Sequence, residues 1–405
     1  MNGHTSPVMH AKLCTLALVI GAVSCSTGGS VRSAAPTTTA RVPIRQTTQP
    51  IPVTALRELS PLAGASSPPS QMAADPVQGG VWFWSDTSSA TELYHVGDKG
   101  ITTRRAVGKT RSDGLLTSFD TPIAVGADGS VWLAANTTIM RFVPSSGAIS
   151  SWSLALPVVA ADPDHRRLPQ DGITAIAVSP TTGTVALVSR DALVTLLDPT
   201  TGIFSAAPGS IAGAVASVAY LSDGTLIVGS LGLYSTGGAV ERVRPDGTSK
   251  RFAVYAGFLA PDGQSVIAAG GQLARVNATS STALGNPAAA ASARNQSPTA
   301  LDLDAPIAIT PNGNIVTSTR SGLAILNSSG MVTDTLALPE FDCSGMSDVG
   351  PTGPNAMSST TVRLPTTCTQ SAQPLATDGA GSVFFFTTGP GSELEELPAP
   401  KVPSS

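Results

Sequence analysis

Histidine, cysteine and clustered charge are the scarce chemical resources of this 405-residue chain, which has four histidines and four cysteines. His4 and His10 stand at the extreme N-terminus, so His95 and His165 are the imidazoles left for chemistry in the body. The densest charge lies in 157–171, which carries Asp162, Asp164, His165, Arg166, Arg167 and Asp171. Two guanidiniums beside carboxylates and an imidazole suit charge-assisted binding of a polar or anionic group. His165 has the side chain of a general base, but no spacing places a serine or cysteine nucleophile near it. The competing account of the same residues is a solvated insertion loop with its own internal ion pairs. No phosphate-binding glycine loop, zinc-protease helix or CxxC pair occurs.

The cysteines carry a second line of reasoning. Cys25 ends a short apolar run, Leu-Val-Ile-Gly-Ala-Val-Ser-Cys over 18–25, preceded by Lys12. The run is too short to span a bilayer, which takes roughly 20 residues, and it has the charge, apolar core and small-residue exit of a signal peptide. Small residues before the cysteine resemble the lipobox of bacterial lipoproteins, with Ala22 where leucine is commoner. The resemblance implies cleavage before Cys25, lipidation of its thiol, and a protein anchored at the extracytoplasmic face of the cell membrane. An ordinary secretory signal with Cys25 as a plain thiol is the alternative. Met9 makes a tidier start than Met1, because 1–8 hold Pro7 and no basic residue.

Cys14 leaves with the signal, so Cys343 and Cys368 remain as an even pair in an oxidising compartment. A disulfide between them closes a loop of about 25 residues and contributes roughly 3 kcal/mol through the unfolded chain. Two free thiols, or a two-ligand metal site, are the other readings. The second lacks partners, since no histidine follows His165.

Four segments follow from composition: a signal at 1–24, a flexible Ser/Thr/Pro-rich spacer at 25–52, a folded body at 53–398 and a short tail at 399–405. The spacer carries Arg32, Arg41 and Arg45 and no acid, and it cannot bury enough apolar surface to offset its ordering entropy. The body is weakly charged. Formal net charge is −4 and only 12% of residues are charged, which argues against a nucleic-acid binder.

The body is built from repeats. Its clearest unit runs Pro122-Ile-Ala-Val, Asp128-Gly-Ser-Val-Trp-Leu-Ala, Thr138-Ile-Met-Arg-Phe-Val-Pro and Gly147-Ala-Ile-Ser-Ser-Trp-Ser-Leu. Four short alternating runs separated by turn residues predict a four-stranded antiparallel meander. Six further echoes follow the same order, and a glycine opens the second run of each at 80, 129, 183, 224, 263, 313 and 381. The first echo lacks a clear first strand, the one near 256–285 lacks a clear fourth, and the last, near 374–398, lacks an outermost strand. These features predict an all-β propeller of seven four-stranded blades, with a strand from 53–59 completing the C-terminal blade. Six or eight blades, or a two-sheet sandwich, are the structural alternatives.

The unit at 122–156 resembles the NHL-like and streptogramin-lyase-like propellers, which share a pattern of Pro-x-x-Ile-Ala, Asp-Gly-x-Val/Ile-Trp, an Ile-x-Arg-hydrophobic strand ending in Pro, and a Gly-x-Ile-x-x-hydrophobic strand. The lyases need histidines and a metal-binding glutamate in later blades. Here Glu241 and Glu340 are the only glutamates between 215 and 365, and no histidine lies there. Calcium-dependent lactonase-type propellers use acids and an asparagine at the axis; Asp223, Asp302, Asp304 and Asn312 are candidates with no convergent spacing.

The longest connections, 109–121, 157–171, 285–305 and 339–373, all join an outer strand to the next inner strand and therefore share one face. Long loops on a rigid scaffold are where binding usually resides. The sequence thus predicts a monomeric binding or scaffolding module for an envelope protein or glycan, with no cofactor and no catalytic set. An enzyme of lactonase or lyase type holding Ca²⁺ or Mg²⁺, and a plain structural envelope protein, are the alternatives.

Overall fold

The computed structural model describes residues 49–52, 56–59, 69, 71–86, 90–97, 100–109, 122–135, 137–154, 172–189, 194–208, 215–230, 238–285, 306–319, 321–342, 367–368, 372–387 and 393–399. Among them there are strands and turns and no helix, so no helix is long and apolar enough to cross a membrane.

Two N-terminal strands, β1 (Gln49–Ile51) and β2 (Arg57–Glu58), precede the first blade. Blade 1 comprises β3 (Ala73–Ala74), β4 (Val81–Asp86), β5 (Ala90–Gly97) and β6 (Gly100–Lys109). Blade 2 comprises β7 (Ile123–Val125), β8 (Val131–Ala135), β9 (Thr138–Val143) and β10 (Ala148–Ser153). Blade 3 follows as β11 (Ile173–Val178), β12 (Val185–Ser189), β13 (Val194–Asp198) and β14 (Ile203–Ala206). Blade 4 is β15 (Val215–Tyr220), β16 (Leu226–Ser230), β17 (Ala239–Val243) and β18 (Ser249–Phe252). Blade 5 is β19 (Phe258–Asp262), β20 (Ser265–Ala269), β21 (Leu273–Val276) and β22 (Ser281–Ala283). Blade 6 is β23 (Ile307–Ile309), β24 (Ile315–Thr319), β25 (Gly322–Leu326) and β26 (Val332–Ala337). A small ribbon of β27 (Phe341–Asp342) and β28 (Thr367–Cys368) leads to blade 7, whose β29 (Ala372–Thr377), β30 (Val383–Thr387) and β31 (Leu394–Leu397) take β2 as their fourth strand.

The seven-bladed reading therefore holds, and so does closure by an N-terminal strand: Arg57 pairs with Glu396 and Glu58 with Glu395, antiparallel. The strand missing from the first echo is the two-residue β3, too short to leave a periodic signal. The weak fourth strand of blade 5 is β22, whose Ser-Thr-Ala is fully exposed and so lacks apolar alternation.

One boundary differs from the compositional expectation. Residues 49–51, placed in the spacer, form a fifth strand parallel to β26, with Gln49 opposite Asp334 and Ile51 opposite Leu336. Pro50 is tolerated there because an edge strand can spare one N–H. Pairing to the ring thus begins before residue 53.

Both faces of each blade are apolar, and each is buried against a neighbour. Seven separate core clusters result, one at every junction from blade 1–2 round to blade 7–1. An open row of seven sheets would have six such junctions, so the seventh defines the ring. That seventh cluster unites Leu59, Val81, Phe83, Tyr94 and Val96 with Ala376, Phe384, Phe386 and Leu394. Phe83 stacks on Tyr94 at 5.1 Å and meets Phe386 edge-on at 5.2 Å.

The seven glycines that open the second strands all have positive φ, from 60° at Gly263 to 92° at Gly381. At Gly80 a Cβ would also lie 2.1 Å from the Val96 carbonyl oxygen. Only glycine fits this left-handed turn position.

Phe386→Ala, which hollows the closing junction, is expected to lower unfolding stability by about 3–5 kcal/mol in urea titration. A loss below about 1 kcal/mol would show that this junction does not hold the ring.

Candidate functional site: two unlike faces of the ring

Alternation of strand direction sorts every connection to one of two faces. Inner-to-second and third-to-outer turns lie on one face, here the turn face. Outer-to-inner and second-to-third connections lie on the other, the loop face.

Asp162, Asp164, His165, Arg166 and Arg167 fall in the connection from β10 to β11 and lie outside the described residues, as do Cys25 and Cys343. Cys368 is the last residue of β28, directly opposite Phe341. Asp342 pairs with Thr367, so the residues immediately before the two cysteines are cross-strand neighbours. Near the mouth of the axis on this face, the Gln71 side-chain amide donates to the Thr174 carbonyl at 3.1 Å. It thereby ties the approach to blade 1 to the inner strand of blade 3, past blade 2.

The shortest loop-face connection between blades, from β18 to β19, is fully described. Gly238 and Gly270 pack so closely on Tyr255 that a Cβ at either would meet its backbone at 2.5 and 2.9 Å. Tyr255 itself is 48% exposed.

The turn face is a ring of hydrogen-bonded networks that sequence reasoning missed. In blade 1, Asp75 is 1% exposed and accepts from the Val77 and Gln78 amides at 2.8 and 2.9 Å through Oδ1. Its Oδ2 accepts from the Trp82 indole at 2.7 Å. Trp82 faces His95 across the ladder, with ring centroids 4.6 Å apart. His95 Nε2 donates to the Gly79 carbonyl at 2.9 Å and lies 3.5 Å from Asp75. Its Nδ1 is 2.6 Å from the Thr102 hydroxyl, so both ring nitrogens have partners. His95 is therefore a structural imidazole.

Blade 2 repeats the plan with other residues. Trp132 donates to Ser130, Ser130 donates to Asp128, and Arg141, cross-strand from Trp132, donates to Asp128 at 2.7 Å. In blade 5, Arg275 lies 3.0 Å from Asp262. In blade 4, the buried Arg242 donates to the Gln264 carbonyl of the next blade at 3.2 Å. Burial raises the Asp128 and Asp223 carboxyls, but the hydrogen bonds they accept and the guanidiniums of Arg141 and Arg242 outweigh it and hold both below the ordinary carboxylate range. Burial correspondingly lowers Arg242. The Asp-Gly pairs are thus turn elements, as expected, and their carboxylates also anchor the third strand. The cross-strand cation at one fixed register was the signal that could have found them.

At the axis, the described inner strands carry a single carboxylate, Asp262 at the end of β19, already engaged by Arg275. Asp262 and Asn312 flank a shallow cleft between blades 5 and 6 on the turn face, with Pro261, Thr310 and Pro311. Among the described residues no three His, Cys, Asp or Glu side chains are grouped to hold a metal ion.

The WD40 repeats of RRP9 superpose with a TM-score of 0.56 at 11% identity, covering 87% of this chain and all of that one. U3-55K gives 0.55 at 11% identity, covering 85% of this chain and 99% of that one. The fold is that of a WD40-type propeller. No protein-family model matches the sequence, and no curated protein matches it either. At such identity the WD40 likeness concerns architecture alone.

Trp82→Phe keeps the ring and deletes the indole N–H that Asp75 accepts. It is expected to cost about 1–3 kcal/mol, read by urea unfolding, with the fold retained by circular dichroism. A neutral result would show that Asp75 is satisfied without it.

Proposed function

We propose that this chain is a lipid-anchored, extracytoplasmic propeller that binds a protein or glycan through its loop face. One observation carries the reading: the long connections all leave the same face of a ring closed by the chain's own N-terminal strand. A propeller of WD40 type is commonly an interaction scaffold, and a rigid ring lets long loops vary without cost to the core. The lipobox-like run ending in Cys25 supports attachment to the outer side of a membrane. The repeat in blade 2 keeps its resemblance to NHL-like propellers as a finer assignment. A Cys343–Cys368 disulfide belongs to this reading because these two cysteines are the even pair left in an oxidising compartment.

Arg166 and Arg167 are the residues assigned to partner contact, with Asp162, Asp164 and His165 as neighbours. Detergent extracts of cells expressing tagged wild type are expected to yield a partner that the Arg166→Ala/Arg167→Ala variant recovers in reduced amount. Identical partners and recoveries would remove this loop from the site. Cys25→Ser is expected to move the protein from the membrane pellet to the soluble fraction, and an unchanged distribution would overturn the anchor. Titration of the unreduced mature protein in denaturant is expected to find no free thiol. Two reactive thiols would exclude the disulfide.

A metal-dependent enzyme makes a different prediction, bound Ca²⁺ or Mg²⁺ in the purified protein. Elemental analysis of the full chain is expected to show less than stoichiometric metal, and one equivalent would favour the enzyme.

A further inference from the structure

The seam where β2 meets β31 has two unlike sides. Side-chain alternation turns Arg57, Leu59, Leu394 and Glu396 toward blade 1, where both leucines enter the closing core. It turns Leu56, Glu58, Glu395 and Leu397 toward blade 6, where Leu56 and Leu397 join the adjacent core. The first side is balanced in charge: Arg57 Nη1 lies 3.3 Å from Glu396, whose side chain is 1% exposed. The second side is not. Glu58 stands directly opposite Glu395, and Glu393 lies two residues before it on the same side. Across the sheet Glu395 faces Phe385. From blade 6 the facing residues are Leu336 and Leu338, with Asp334 as a further acid two residues before Leu336. The Glu395 Oε2 atom is buried without a hydrogen-bond donor.

We propose that this seam is a proton-controlled latch: protonated Glu395 tightens the hold of β2 on β31, and ionised Glu395 loosens it. Like charges directly opposite each other on paired strands are destabilising. A protonated carboxyl removes that repulsion and can donate its proton in a hydrogen bond to the Glu58 carboxylate. Burial first, then Glu393 and Glu58, raises the Glu395 pKa above the ordinary 4.5. A carboxyl raised in the folded state favours folding while protonated. Its contribution is full below the ordinary value and is lost as pH rises through the raised one. β2 has only two residues, so a modest change in pairing free energy shifts a visible fraction of the seam. Loosening frees the edge of β31 and leaves the five junctions between blades 1 and 6 closed.

Hydrogen exchange on the full chain, read by mass spectrometry and corrected for intrinsic rate, tests the latch. The peptide covering 56–59 is expected to lose protection about two- to fivefold between about pH 5 and about pH 8, while β16 does not change. Glu395→Gln is expected to hold the low-pH protection at both values. Glu58→Gln, on an exposed strand, provides the same readout should the first variant fold poorly. About 0.5 M NaCl, which screens exposed charge, is expected to raise protection of the wild type at the higher pH. Protection that is flat or rising with pH in the wild type, or a Glu395→Gln variant no better protected at about pH 8, overturns the proposal. The outcome is independent of lipidation and of any partner.

Discussion

Everything in this protein depends on the junction between its last blade and its first. A four-stranded sheet with two apolar faces must bury both, and a row of such sheets always leaves two faces bare unless its ends meet. Here they meet through Phe83, Tyr94, Phe384 and Phe386, with Leu59 from the incoming N-terminal segment packed among them. The aromatic side chains are concentrated at this closing junction and the next two, where first Trp82, Trp84 and Phe142 and then Trp132, Trp152 and Phe204 pack. The other four rely mainly on Val, Leu, Ile and Ala, as between blades 3 and 4. Large rings bring more buried area per residue, and at the closing junction they join parts distant in sequence.

The turn face shows how a weakly charged protein places the charge it has. A nitrogen-bearing side chain on the third strand stands at one register position in blades 1, 2, 4 and 5, as His95, Arg141, Arg242 and Arg275, cross-strand from Trp82, Trp132, Ile227 and Ile267. Each reaches a carboxylate or carbonyl in a turn. The same position in blade 7 holds Glu396, cross-strand from Phe384, and its cation comes from outside as Arg57. The sign is inverted where the fourth strand is contributed by a different part of the chain. A buried carboxylate that only Arg57 complements favours β2 in its own register over a slipped one.

Much of the ring was legible in the sequence because its signal is periodic and local. The turn glycines mark every second strand, since positive φ at a tight turn admits little else. The missing outer strand of blade 7 told where the N-terminus had to go. What was not legible was either too short or too exposed to alternate. β3 has two residues, β22 is polar and fully exposed, and β1 sits in a segment whose composition reads as a spacer. Side-chain networks are harder still. Asp75 and His95 are 20 residues apart in sequence, and neither belongs to a recurrent motif, so only the cross-strand register brings them together.

The two faces divide the work. On the turn face, hydrogen bonds run within and between turns, and the Lys250 and Arg275 side chains donate to the carbonyls of Thr279 and Ser328 in neighbouring turns. Such a surface resists change, because removing one partner strands another buried or half-buried polar group. The loop face is built on the opposite principle. Its connections can lengthen at a cost that grows only with the logarithm of their length. The turn-face side chains with partners of this kind hold the ring itself, so substitutions there act on stability first.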